Sequence, residues 1–329
     1  MATSLGLVTR RPAVAAGGLA ALLVPSVLRA QEEWPRRPIR IIIPYTPGGG
    51  TDIVTRLFGE AMRATLGQPV VIENRPGANG MIGTDLVARA QPDGYTLVSV
   101  TAGHVGSKYT IPNIPHDAVK DFTAVSLIAN YPLVVTASTL APFSDFPGMV
   151  GYARANLRAV SYGTTTSTSS YAAAELARLA GVQMTEVPYK GSAPMMTDMM
   201  SGALHAGWSS PESAFAQIQS GKTRVIAQTG ARRAEALSAV PTVAEMGFPG
   251  FEMLGWVGLY GPAGLPPQIC HRIYSALTEA IAKPALHQRL VEMGNFGVIE
   301  GPAEFTRRTL EDDARLGRAA REGLLVRAG

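Results

Sequence analysis

The residues with the clearest chemical purpose are Pro47-Gly48-Gly49-Gly50-Thr51-Asp52. Before them stands an apolar, β-branched run from Ile39 to Tyr45, the pattern of a buried strand. After them Ile53, Leu57, Phe58, Ala61, Met62 and Leu66 fall on one helical face, with Gly67 as a stop. Three glycines between a strand and a helix let several backbone N–H groups turn toward one point. The helix N-terminus adds unpaired donors and partial positive charge. Together these make a socket for a small anion, either a carboxylate or a phosphate.

A second unit has the same design. Strand Ala159 to Tyr162 runs into Gly163-Thr164-Thr165-Thr166-Ser167-Thr168-Ser169-Ser170, and a helix from Tyr171 to Ala180 follows, closed by Gly181. Hydroxyl residues replace most of the glycines; they can cap the helix and donate to a ligand. Two such units facing each other predict a cleft. Thr101 to His104 lie at the carboxyl end of strand Tyr95 to Val100, the edge where ligands collect in open α/β sheets. Arg75 and Lys190 are loop cations able to meet an anion. Trp208 fits either a core or an apolar cleft wall.

Other chemistry fails on spacing. Gly221-Lys222-Thr223 resembles the end of a P-loop, but Ala216 stands where a glycine is needed. Gly48, Gly50 and Ile53 lack the third glycine of a dinucleotide fingerprint. The five histidines show no paired metal spacing, and the single cysteine, Cys270, has no disulfide partner within the chain. Neither cofactor nor metal is expected. A secreted hydrolase using Ser167 or Ser169 with His104 remains a remote alternative.

The elements that must position these loops come from a chain of 329 residues, 46% hydrophobic and 16% charged, enough for two domains with large cores. Residues 1–30 have the pattern of a secretory leader: Arg10-Arg11, an apolar run from Ala13 to Leu28, then Ala30. The paired arginines also fit twin-arginine export. Without that leader the formal charge of +4 falls to 26 basic against 25 acidic residues, which argues against nucleic-acid binding. Strand and helix signals alternate, so an α/β fold with mainly parallel strands is expected. Residues 105–123 look irregular. Apolar runs Ala124 to Ala129 and Leu133 to Ala137 flank a first crossover at Asn130-Tyr131-Pro132, and a second crossover is expected near 229–240. The division is a leader at 1–30, one lobe from 31–131 and 231–329, and a second lobe from 132–230.

Longer motifs point to a family: Trp34-Pro35, PYTPGGGTD at 44–52, LGQPVVIENRPGANGMIG at 66–83, PDGYTL at 92–97, VPYKGSAPMMTDMMSG at 187–202, VPTVAEMGFPGFE at 240–252 and GPAGLPP at 261–267. The chain resembles the substrate-binding proteins of tripartite tricarboxylate transporters, the Bug family of periplasmic receptors. That resemblance implies a type II periplasmic-binding-protein fold, in which two lobes joined by two crossovers close on a small organic carboxylate. It implies a ligand held largely by main-chain groups and water, with Tyr45, Gly48, Gly49, Gly50, Thr51, Asp52, Gly77, Ala78 and Asn79 at the matching positions. Asp52 is expected to orient the loop, since an acid would repel a carboxylate. Thr101, Gly163, Thr164, Thr165, Ser167, Ser169, Tyr189 and Trp208 complete the expected ligand-facing set. The second loop departs from the family pattern: its later glycines are gone, and Tyr171 stands near a usual histidine. The implied role is a monomeric, non-enzymatic receptor that delivers a carboxylate to membrane subunits. The same fold could instead signal to a membrane kinase.

Overall fold

The apolar runs become the central strands of two five-stranded sheets. The structure, a computed structural model, describes residues 1–4, 6 and 34–325. The leader features, Arg10-Arg11 and the run from Ala13 to Leu28, lie outside the described residues. Everything that follows concerns the unit Pro35–Gly329.

Lobe 1 opens with β1 (Ile39–Ile43), α1 (Gly50–Leu66), β2 (Val70–Asn74), α2 (Met81–Ala88), β3 (Thr96–Thr101), α3 (Gly103–Thr110) and β4 (Phe122–Pro132). The chain then builds lobe 2: β5 (Val134–Ser138), α4 (Phe146–Ala155), β6 (Ser161–Thr164), α5 (Ser167–Ala180), β7 (Thr185–Pro188), α6 (Ser192–Ser201), β8 (Ala206–Ser209), α7 (Pro211–Ile218) and β9 (Thr223–Gln228). It returns to lobe 1 with β10 (Leu254–Pro262), α8 (Pro267–Ile281), α9 (Pro284–Glu292) and α10 (Pro302–Arg321). The sheet orders are β2-β1-β3-β10-β4 and β7-β6-β8-β5-β9. No helix among the described residues is long and apolar enough to cross a membrane.

The sheets are mixed, which corrects the expectation of mainly parallel strands. β1 pairs parallel with β2 and β3, and β6 pairs parallel with β7 and β8. β10 is antiparallel to β3 and β4, and β5 is antiparallel to β8 and β9. The antiparallel strands are those adjoining the crossovers, and they enter each sheet from the other lobe. Hydropathy marks such strands as buried and carries no sign of their direction.

Two further expectations shift. Residues 105–123 are not irregular throughout, because α3 takes up Gly103–Thr110. Its sequence, GHVGSKYT, has no strong apolar period, and the helix is secured by packing against α10 and α5. Asn130-Tyr131-Pro132 is strand, not connection: Tyr131 pairs with Gly255 and Pro132 with Leu254. A side chain at Gly255 would come within 2.7 Å of the Tyr131 ring, so glycine makes room for that ring. The first crossover is therefore the single residue Leu133.

α10 docks on lobe 1 through aromatic rings and buried polar bonds. Phe305 packs against Trp256 and Tyr260 with ring centroids 5.2 and 4.8 Å apart. Trp256 Nε1 donates to Asp312 Oδ2 at 2.8 Å, and the Tyr260 and Thr309 hydroxyls are 2.7 Å apart. Edge-to-face and tilted ring contacts of this kind add to simple area burial.

Candidate functional site

The glycine loop is closed by its own acid. Gly48 holds φ +86° and its amide donates to Asp52 Oδ2 at 3.0 Å. Asp52 Oδ1 accepts from Arg56 Nε at 3.0 Å. Burial works to raise the Asp52 pKa, but hydrogen bonds from Arg56, the Gly48 amide and Asn74 outweigh it and hold the carboxyl below its usual range. Asp52 thus ties the loop to α1. Gly49 is the N-cap, with an ordinary extended backbone at φ −79° and open space where a side chain would stand. Left-handed backbone occurs at Gly48 and not at Gly49. The first amide to join the helical ladder is that of Ile53, bonded to Gly49 O at 3.1 Å. The amides before it belong to the unpaired first turn.

Tyr45 and Thr101 meet beside this loop. Their hydroxyls are 3.2 Å apart, and the Thr101 amide donates to the Tyr45 hydroxyl at 3.3 Å. Burial raises the Tyr45 pKa, so the phenol stays neutral. Asn74 Nδ2 donates to Tyr45 O at 3.1 Å and thereby links the next loop. There Gly77 (φ +130°) and Ala78 (φ +46°) lead into a short 3-10 turn, Ala78–Gly80, which includes Asn79. A non-glycine residue at positive φ is backbone strain of the kind that clusters at functional loops.

From lobe 2, Thr166 is the N-cap of α5. Its hydroxyl accepts from the Ser169 amide at 3.2 Å, while Ser169 Oγ accepts from the amides of Thr165 and Thr166 at 3.2 and 3.1 Å. Ser169 is therefore committed to a capping box. Thr164 Oγ1 donates to Glu186 Oε1 at 2.6 Å, and Ser170 Oγ to Glu186 Oε2 at 3.1 Å. Ser167 Oγ reaches Gly103 O of lobe 1 at 3.5 Å. A side chain on Gly103 would start 3.3 Å from Thr166 Cβ and 3.4 Å from Thr101 Oγ1. The two loops do meet across the lobes, with the N-termini of α3 and α5 in contact.

Several expected residues do other work. A side chain at Gly163 would lie 2.6 Å from Met195 Cγ, so that glycine admits α6 against β6. The Tyr189 hydroxyl is spent on Asp198 Oδ2 at 2.6 Å. Trp208 is fully buried, with an indole N–H that has no partner among the described residues. Arg75 pairs with Glu73 at 2.9 Å, and Lys190 is exposed. His104 is 3% exposed within a ring cluster of His116, Phe122 and Tyr260, not beside Ser167 or Ser169. No serine–histidine pair forms at these serines, and the hydrolase alternative loses its base.

Sequence reasoning missed Glu212, Asn295 and Glu186. Glu212 follows Ser209-Ser210-Pro211 at the end of β8, so the strand–polar loop–helix rule that marked the other two loops applies to it as well. Glu186 lies one strand over from Tyr162, in register with it. Asn295, in the turn after α9, carries no local signal.

The comparisons with known proteins agree with this geometry. The family model described as tripartite tricarboxylate transporter family receptor matches residues 54–323. Protein BugT of Bordetella pertussis is 31% identical over 286 residues, covering 86% of this chain and 87% of that one. An R. palustris protein solved with adipate superposes with a TM-score of 0.83 at 30% identity, covering 90% of this chain and 100% of that one. MatC from Rhodopseudomonas palustris, solved with bound malate, gives a TM-score of 0.76 at 28% identity, covering 87% and 99%. The two α/β lobes and the motifs that build their facing loops are those of a ligand-capturing receptor, and the chain belongs to the tripartite tricarboxylate transporter receptor family.

Proposed function

We propose that this protein is a periplasmic receptor that closes its lobes on a small organic carboxylate and hands it to the membrane subunits of a tripartite-type transporter. The observation that carries the proposal is the meeting of two loop–helix units, one per lobe: Gly48 to Asp52 with Thr101 and Gly103, opposite Thr166 to Ser169. Such loops offer backbone amides and hydroxyls rather than a cationic clamp, as suits a ligand that must be released again. Adipate and malate in structural neighbours support the ligand class. The role is capture and not catalysis, in keeping with a family of binding proteins. The receptor acts as a monomer, one cleft per chain.

Backbone donors suffice for such a role. Micromolar affinity needs about −8 kcal/mol. A hydrogen bond to a charged group nets roughly 1.5–3 kcal/mol, so five or six could reach that figure after the ordering cost. The test is thermal unfolding against mono-, di- and tricarboxylates, with ATP and NAD as controls. A true ligand at a hundred times its dissociation constant adds about 2.7 kcal/mol to stability. No shift with any carboxylate, alongside a shift with a nucleotide, overturns the proposal.

A further inference from the structure

This inference rests on the receptor reading above and concerns what the ligand carries besides its carboxylate. Glu212 stands in the first turn of α7, on lobe 2. Its carboxyl carbon lies 3.2 Å from the point where a Gly50 side chain would begin, and both its oxygens lie 3.3 Å from it. An acid of lobe 2 is therefore set against the first turn of α1, in the region whose donors suit an anion.

The hydrogen bonds around this acid are incomplete. Oε1 accepts from Asn295 Nδ2 at 3.2 Å. Oε2 is buried without a hydrogen-bond partner among the described residues. Asn295 is itself 2% exposed, and its Oδ1 is likewise unpartnered. Burial raises the Glu212 pKa, and the groups that oppose it, Ser210, its own amide and Asn295, include no cation.

An acid in a first turn ordinarily serves its own helix dipole from the solvent. Here one oxygen is out of solvent, and a buried acceptor left without a donor is costly. Two such acceptors on adjoining groups, where the lobes meet, point to a donor that arrives with the ligand. A second carboxylate would add like charge beside Glu212. A cationic nitrogen would instead give Oε2 the donor it lacks and offset the charge of the acid.

We propose that Glu212, backed by Asn295, selects a ligand bearing a cationic nitrogen. The cargo is then an amino carboxylate, with its carboxylate on the main-chain donors of the glycine loop and its ammonium on Glu212 Oε2. In this the chain departs from neighbours solved with adipate or malate, which carry no nitrogen.

The experiment is calorimetry on the purified protein with matched probes: succinate against γ-aminobutyrate and aspartate, glutarate against δ-aminovalerate and glutamate, adipate against ε-aminocaproate. At least one amino carboxylate should bind tenfold or more tighter than its dicarboxylate counterpart. Glu212→Gln, which keeps the shape and removes the charge, should cost that probe tenfold or more and erase the preference. A wild-type preference for the dicarboxylates overturns the inference. So does an unchanged ratio in the variant, the result expected if ordered water alone satisfies Oε2. If the variant fails to fold, the wild-type ratio decides. Binding of carboxylates without regard to nitrogen refutes this inference alone, whereas failure of every probe removes the receptor reading with it.

Discussion

Ser167 of lobe 2 stands so close to Gly106 of lobe 1 that a methyl group on Gly106 would come within 2.7 Å of Ser167 Cβ. Only a bare backbone lets α3 and α5 approach in this way. Gly106→Ala should wedge the lobes apart while each sheet stays intact. A confirmed ligand should then bind tenfold or more weaker, and small-angle scattering should show a larger radius of gyration. Ser167→Gly in the same background should restore much of the affinity. Wild-type binding by Gly106→Ala would mean that this contact has no part in closure.

Two of the loop glycines, Gly48 and Gly49, should respond differently to valine. Gly48 holds a left-handed backbone, so Gly48→Val is strained and should cost stability by about 1–3 kcal/mol. Gly49 is extended and open, so Gly49→Val is unstrained and should cost only its poorer N-cap, about 1 kcal/mol. If the ligand lies on this loop, Gly49→Val should still lose binding, by 3 kcal/mol or more on the order of two charge-assisted bonds. Chemical denaturation and calorimetry separate the two effects. Lys190→Ala should change affinity far less, since that side chain is exposed.

Acid should weaken the fold through His104. Burial, with the neighbouring His116, lowers its pKa from 6.5 to about 3. Between those values the unfolded chain holds a proton that the folded chain refuses, so stability falls as pH drops below 6.5 and is flat with respect to this group above it. At two pH units below the unfolded value the loss is about 3 kcal/mol. His104→Phe, which keeps a ring in the cluster, should flatten the stability profile in that window. A variant with the wild-type slope would assign the acid sensitivity elsewhere.

The bond from Trp256 to Asp312 should be costly to break from one side only. Trp256→Phe leaves a buried carboxylate, already raised in pKa by burial, without its indole donor. A loss of about 1–3 kcal/mol in denaturant unfolding is expected.

What could be read from sequence follows the range of the interaction. The glycine loop was legible because strand, glycines, helix face and Asp52 are contiguous, and local hydrogen bonds such as Gly48 to Asp52 join residues four positions apart. The hydroxyl loop was legible as a helix start; that Ser169 would also cap α5 and that Thr164 would bond Glu186 was not. The need for bare backbone at Gly163 was hidden because it comes from Met195, on another element. Glu212 and Asn295 meet only when α7 and the turn after α9 come together across the lobes. Strand direction at β5 and β10 was also hidden, since burial alone shapes their composition.

The single-residue crossover at Leu133 bears on how the chain reaches its native state. Leu133 O accepts the Thr229 amide at 2.9 Å, and Thr229 O accepts the Met253 amide at 2.9 Å, so three passing segments are stitched side by side. β4 and β10 pair along their whole length, yet all of lobe 2 lies between them in the chain. Closing so long a loop in a disordered chain is entropically expensive and slows folding. Once lobe 2 is formed, its two ends already stand together at Leu133 and Thr229, and the closure left for β10 shrinks to residues 230–253. Lobe 2 therefore sets the two parts of lobe 1 side by side: β4 lacks its β10 partner until the inserted lobe returns the chain to it.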